Sequence, residues 1–236
     1  MSAPPVALVT GATEGIGRAI AFALGRAGYR VGACARTPSR VRSLLEDLAG
    51  EGIAAAGHPA DVGQPGDVEA MVGEITGRLG PVDVLVNNAG VAILKPFDQL
   101  TLADWDTTMA TNLRSLFLVT RAVLPGMRER KRGAIVNIAS LAGRNGFAGG
   151  TAYTASKHAV LGFGRSLMME VRKENIRVIT ICPGSVDTAL LHDQGMLTPN
   201  FASVLTPEDV ATTVVSALAL PERALVSELD IRPTNP

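Results

Sequence analysis

Short runs rich in Val and Ile return along this 236-residue sequence, and stretches with apolar residues at helical spacing lie between them. That alternation constrains the fold more than any other feature. A strand that is apolar along its whole length must be buried on both faces, and helices between successive strands are what bury it. The strand-like runs cover 6–11, 29–36, 52–60, 82–90, 133–140, 176–184 and 224–233. Helical periodicity covers 15–28, 37–50, 65–79, about 102–124, 151–173 and 206–220. Boundary residues agree with this reading: Thr37 with Pro38, Thr101 with Asp104, and Pro207 each suit a helix start. The pattern predicts an open, doubly wound α/β architecture of about seven parallel strands with helices on both faces. A closed eight-unit barrel needs one more strand–helix unit than the sequence offers.

Composition removes several function classes. Apolar residues make up 47% of the chain, which suits a packed core and not a disordered chain. Basic and acidic residues balance at 22 each, and the longest basic run is "RERKR" at 128–132, so no nucleic-acid partner is expected. There is no 18-residue apolar run, so no membrane span is expected. Cys34 and Cys182 are too far apart in sequence for a metal motif or disulfide framework and read as core thiols. No metal site is expected. The start "MSAPPVALVTGA" lacks the charged and apolar regions of a signal peptide, and a cytoplasmic location follows as the expectation.

The first strand–helix turn reads "TGATEGIG", with Gly11, Gly15 and Gly17 between the strand and the helix. Glycine there adopts unusual dihedrals and lets the backbone approach a pyrophosphate, which the helix N-terminus attracts. This turn, right after the first buried strand, points to a single-domain doubly wound (Rossmann) fold over residues 1–236 that binds a dinucleotide. The second strand ends in "ACARTPSR", where such folds place an acidic residue for the adenosine ribose; here Arg36 stands instead. A cation without a carboxylate suits a 2′-phosphate, so NADP(H) is the preferred cofactor and NAD(H) the alternative. Glu14 in the turn argues back. Either it pairs with Arg36 and weakens that preference, or it points to solvent. "NNAG" (87–90) closes the fourth strand at the edge where open sheets bind ligands.

Only two tyrosines occur in the chain, and Lys157 follows Tyr153 by four residues, on the same face of a helix. A tyrosine normally ionises near about 10, and an ammonium within roughly 4–6 Å favours the phenolate. The pair therefore reads as an acid/base for exchange between alcohol and carbonyl. Ser140, at the end of the fifth strand, offers a hydroxyl to hold the reacting oxygen.

The order "TGATEGIG", "NNAG", Asn112, Ser140, Tyr153–x3–Lys157 and "PGSVDT" (183–188) resembles the short-chain dehydrogenase/reductases. The resemblance implies Tyr153 as general acid/base and Lys157 as the group that lowers its pKa and holds the nicotinamide ribose. It implies Ser140 as the substrate-oxygen ligand and Asn112 as a holder of water in a relay to Lys157. The turn residues Gly11, Thr13, Glu14, Gly15, Ile16 and Gly17 would meet the pyrophosphate. Asn88, Ala89 and Gly90 would lie toward the adenosine, with Asp61 and Val62 at the adenine. Pro183, Gly184, Val186 and Thr188 would line the nicotinamide. The alternative reading of Asp61 is an N-cap for the helix near 65, and His192 reads as a loop histidine that either borders substrate or is solvated.

The expected activity is NADP(H)-dependent hydride transfer between nicotinamide and a small-molecule carbonyl or secondary alcohol. The alternatives are an NAD-dependent alcohol dehydrogenase and a non-catalytic dinucleotide-binding regulator. Leu94, Ala142, Arg144, Phe147, Gly184 and Leu190 are the candidate substrate-pocket residues. The short segment between Thr188 and Thr206 leaves room for a small lid only. The family resemblance implies a homotetramer or homodimer, though not one that relies on a long C-terminal arm.

Overall fold

Val6–Thr10 form β1, and every residue of it is buried. The computed structural model describes residues 3–193, 201 and 203–234. After β1 come α1 (Gly15–Arg26), β2 (Arg30–Ala35), α2 (Pro38–Gly50), β3 (Ala55–Pro59) and α3 (Pro65–Leu79). β4 (Val84–Asn87) leads into α4 (Leu102–Met109) and α5 (Ser115–Arg130). β5 (Gly133–Ile138), α6 (Thr151–Val171), β6 (Ile176–Pro183), the short α7 (Ala189–His192), α8 (Pro207–Leu218) and β7 (Glu228–Ile231) complete the described elements. The strand runs are shorter than their apolar segments. Pairing stops where the chain leaves the sheet edge, so Asn88–Gly90 lie beyond β4, free to face a ligand.

The seven strands form one parallel sheet in the order β3-β2-β1-β4-β5-β6-β7. It is open, with β3 and β7 at its edges, so the barrel alternative falls. Side chains alternate across it. Ala7 and Val9 pack in a cluster with Ile20 and Leu24 of α1, Leu44 and Leu48 of α2, and Val214 of α8. Val6 and Leu8 point to the other face, against Met71 and Ile75 of α3, Val123 and Met127 of α5, and Val171 of α6. Cys34 and Cys182 are both buried free thiols. Strand order reverses beside β1, between β1 and β4, which is where a doubly wound sheet opens a crevice.

The helix expected at about 102–124 differs in two ways. A widened turn, Ala110–Arg114, separates α4 from α5, and the helix then runs past Pro125 to Arg130. Pro125 is exposed, whereas Val123 and Met127 on either side are buried in the core. Burial of those anchors offsets the hydrogen bond that proline removes. The capping boxes at Thr101–Asp104 and Thr206–Asp209 are both formed.

Candidate active site

The glycine turn is built from its neighbours. Gly11 and Gly15 have φ of 63° and 51°, a region L side chains rarely enter. Gly17 serves closeness instead: a Cβ there would lie 2.2 Å from the carbonyl oxygen of Gly11 and 2.4 Å from Nδ2 of Asn88. Asn88 holds the turn by donating to the carbonyls of Thr10 (3.0 Å) and Gly11 (3.1 Å). Thr10, buried beneath, accepts from the backbone N–H of Asn88 and Ala89 through Oγ1. Asn88 is thus a tie between β1 and β4, and Thr10, missed in the sequence, is the other half of it. At the start of α1, Gly15, Ile16 and Gly17 line the resulting groove with N–H groups of a first helical turn.

The same groove is lined at the ends of β2 and β3 by Arg36, Asp61 and Val62, and by Thr13 and Glu14 between them and the turn. Arg36 is exposed and makes no ion pair among the described residues. Glu14 is not tied to Arg36; it is exposed, as the solvent alternative has it, and its Oε2 accepts from Nη1 of the equally exposed Arg40 at 2.6 Å. Arg40, one turn further along α2, lines the groove as well. Asp61 shapes the turn before α3, accepting from the Gly63 N–H at 2.9 Å through Oδ1. The N-cap position of α3 is Gln64, not Asp61, and the Gln64 side chain makes no capping hydrogen bond.

On α6 the predicted pair shares a face: Lys157 Nζ stands 5.8 Å from the ring centroid of Tyr153. The ammonium is 5% exposed and donates to the Ile138 carbonyl at the end of β5 at 3.0 Å. Burial lowers the Lys157 pKa to about 8, against a smaller upward pull from Cys182. Tyr153 departs from expectation. Burial raises its phenol above the ordinary value, and only the Ser140 hydroxyl opposes that. Desolvation of the phenolate outweighs any help that Lys157 gives. The protein's own groups therefore keep Tyr153 protonated at neutral pH.

Ser140 begins the loop after β5 and accepts from the Ala142 N–H at 3.1 Å. The loop sits hard against α6, since a Cβ on Gly143 would lie 2.8 Å from the Lys157 carbonyl and 2.3 Å from Leu161. Gly143 is what lets Ser140 come beside Tyr153, and the sequence reading missed it. Asn112 lies in the widened turn before α5, 3% exposed. Its Oδ1 accepts from the Val91 N–H at 2.8 Å, and Nδ2 donates to the Val91 carbonyl and to Ser156 Oγ. With both amide hydrogens engaged, only the remaining Oδ1 lone pair is left over for the relay expected of it. Its observed work is to fix the chain after Gly90.

Two cavities meet at Tyr153. The groove described above takes in Gly11, Asn88–Gly90, Lys157 and Thr188. The second, of about 420 Å³, holds Ser140, Pro183, Gly184 and Val186, with Leu94, Ala142, Phe147 and Leu190 in its wall. Tyr153 lines both, as do Ile16 and Thr188. Arg144, expected in this pocket, turns away to ion pairs with Glu228 and Asp230. His192 is exposed, paired with Asp187 at 2.7 Å and stacked on Phe201. Residues 194–200 and 202 of the expected lid lie outside the described residues.

The groove fits a dinucleotide. It crosses the ends of five adjacent strands, has backbone N–H groups where a pyrophosphate would lie, and has cations at Arg36, Arg40 and Lys157. A tyrosine and a buried lysine where this groove meets an apolar cavity suit an oxidoreductase of the doubly wound class. Residues 5–196 match the short chain dehydrogenase family model. The chain belongs to the short-chain dehydrogenase/reductase family, oxidoreductases acting on CH–OH groups with NAD(P). A putative ketoacyl reductase of Streptomyces coelicolor is 46% identical over 191 residues, covering 78% of this chain and 72% of its own length. An NADP-dependent 3-hydroxy acid dehydrogenase, YdfG of Salmonella typhi, is 35% identical over 98% of this chain and 95% of its own. The crystal structure of an actinorhodin polyketide ketoreductase variant with NADPH matches at TM-score 0.89 and 37% identity, over 97% and 95% of the two chains.

Proposed function

We propose that the protein is an NADPH-dependent reductase of small-molecule ketones or aldehydes. The observation that carries this is the position of Tyr153, whose phenol stands where the cofactor groove that holds Lys157 meets the apolar cavity that holds Ser140. Its protonated phenol at neutral pH suits an acid, which is the role that reduction requires.

When bound, a reduced nicotinamide supplies a hydride to the carbonyl carbon. Ser140 holds the carbonyl oxygen by a hydrogen bond, beside Tyr153. The Tyr153 hydroxyl gives its proton to that oxygen, so the C=O bond becomes one C–H and one O–H bond. The Lys157 ammonium steadies the tyrosinate and holds the nicotinamide ribose hydroxyls; the phenol then regains a proton from solvent. Arg36 would hold the 2′-phosphate, and the first turn of α1 would hold the pyrophosphate. Pro183, Gly184, Val186 and Thr188 would flank the nicotinamide, while Asp61 and Val62 would meet the adenine.

The relatives named above support NADP(H) over NAD(H). Phe97, Leu102 and Phe117 expose large apolar surface on or next to α4 and α5, which supports a homodimer or homotetramer. In the described residues no helix is long and apolar enough to cross a membrane, and a cytoplasmic location remains our reading. The test is turnover of NADPH and of NADH with a panel of ketones and aldehydes. NADPH oxidation is expected; tighter NADH binding with faster NADH turnover would replace this reading by the NAD-dependent one.

A further inference from the structure

Glu228, Asp230 and Arg232 alternate along one side of β7 and its exit, while Leu229 and Ile231 pack on the opposite side into the core. Two guanidiniums claim the carboxylates. Arg165 of α6 grips Glu228 at 2.6 and 3.1 Å. Arg144, from the loop that follows Ser140, reaches Glu228 at 2.5 Å and Asp230 at 3.1 Å. Three guanidiniums thus share two carboxylates. Arg232, its side chain 55% exposed, has the loosest pairing of the three, reaching Asp230 at 3.4 Å, longer than an ordinary N–H···O bond.

Arg232 is also part of the wall of the 420 Å³ cavity that Tyr153 and Ser140 enter, and among the described residues it is the only charged member of that wall. The rest of the lining is largely apolar, with Leu94, Leu141 and Leu191 in it. An anion entering this cavity therefore meets one under-neutralised cation and little else that is charged. Arg232, Ser140 and Tyr153 line one cavity, so a single small molecule can present an anion to the first and a carbonyl to the other two.

We infer that Arg232 is a specificity-determining residue that binds the carboxylate of an oxo-acid substrate while its carbonyl meets Ser140 and Tyr153. This rests on the reductase reading and narrows its substrate class. Arg144 and Arg165 are positioning residues in the arrangement, because they occupy the carboxylates that would otherwise neutralise Arg232. The reaction itself is unchanged: the carboxylate takes no part in bond making.

The experiment compares 3-oxohexanoate with its methyl ester under NADPH, in the wild type, Arg232→Gln and Arg232→Lys. The wild type is expected to favour the acid in kcat/KM. Arg232→Gln is expected to cut the acid-to-ester ratio roughly tenfold, mainly through KM, as loss of one charge-assisted bond would. Arg232→Lys should restore part of it. A wild type that prefers the ester, or a glutamine variant that lowers both substrates equally, overturns the proposal. Should neither substrate consume NADPH, the reductase reading fails by itself. Calorimetric binding of 3-hydroxyhexanoate to the enzyme with NADP+ then decides about Arg232: affinity lost in Arg232→Gln sustains it, and equal affinity ends it. A preference for 4′-phosphopantetheine thioesters over pantetheine thioesters, without an acid-to-ester difference, would assign Arg232 to a phosphate and overturn the carboxylate.

Discussion

The ammonium of Lys157 lies 5.8 Å from the centre of the Tyr153 ring, one helical turn away, and it is anchored by the carbonyl of Ile138 at the end of β5. The anchor fixes where the positive charge stands. The phenol next to it stays protonated because burial opposes its ionisation more than the Ser140 hydroxyl favours it. An acid is therefore held ready where the groove meets the cavity, with a cation beside it on the same helix face that can steady its conjugate base.

Replacing Tyr153 by Phe removes that acid and keeps the ring. kcat for carbonyl reduction should fall by about 10²–10⁴-fold, the range of a general acid. NADPH binding, read by fluorescence, should stay within a few-fold. A variant with more than a tenth of wild-type kcat would show that another group delivers the proton.

The pH profile should follow Lys157. Burial brings its pKa down to about 8 from 10.5, so the ammonium is present below that value and is lost as pH rises through it. Reduction, measured as kcat/KM for NADPH in the free enzyme, should be level near neutrality and decline above about pH 8. A profile that keeps rising to pH 10 would contradict the assigned role of the ammonium.

Cofactor choice should depend on Arg36. Arg36→Ala removes a cation that no carboxylate neutralises among the described residues, and it should lower the NADPH-to-NADH preference roughly 10–100-fold, the worth of one or two hydrogen bonds to a phosphate. Glu14→Gln frees Arg40 from its 2.6 Å ion pair, so NADPH affinity should hold or improve. Equal affinity for the two cofactors in the unaltered enzyme would remove Arg36 from this role.

Gly143→Ala places a methyl group against the Lys157 carbonyl and Leu161. The strain should cost about 1–3 kcal/mol, seen as a Tm lowered by several degrees. The Ser140 loop should shift away from Tyr153, so kcat should drop in the variant that remains folded. An unchanged Tm together with unchanged kcat would show that the loop is not held against α6.

Much of this molecule was legible without coordinates. The strand and helix periods, the "TGATEGIG" turn and the four-residue step from Tyr153 to Lys157 are local properties, set by backbone geometry over a few residues. They fixed the sheet class, the site of dinucleotide approach and the family resemblance. What needed the tertiary structure were choices of partner and degrees of burial. Glu14 pairs with Arg40, Arg144 turns to β7, and Asn112 spends its amide hydrogens on Val91 and Ser156 because distant segments meet there. The Tyr153 phenol rises where the sequence predicted a fall, because desolvation sums over every atom packed around it, and no spacing rule contains that sum.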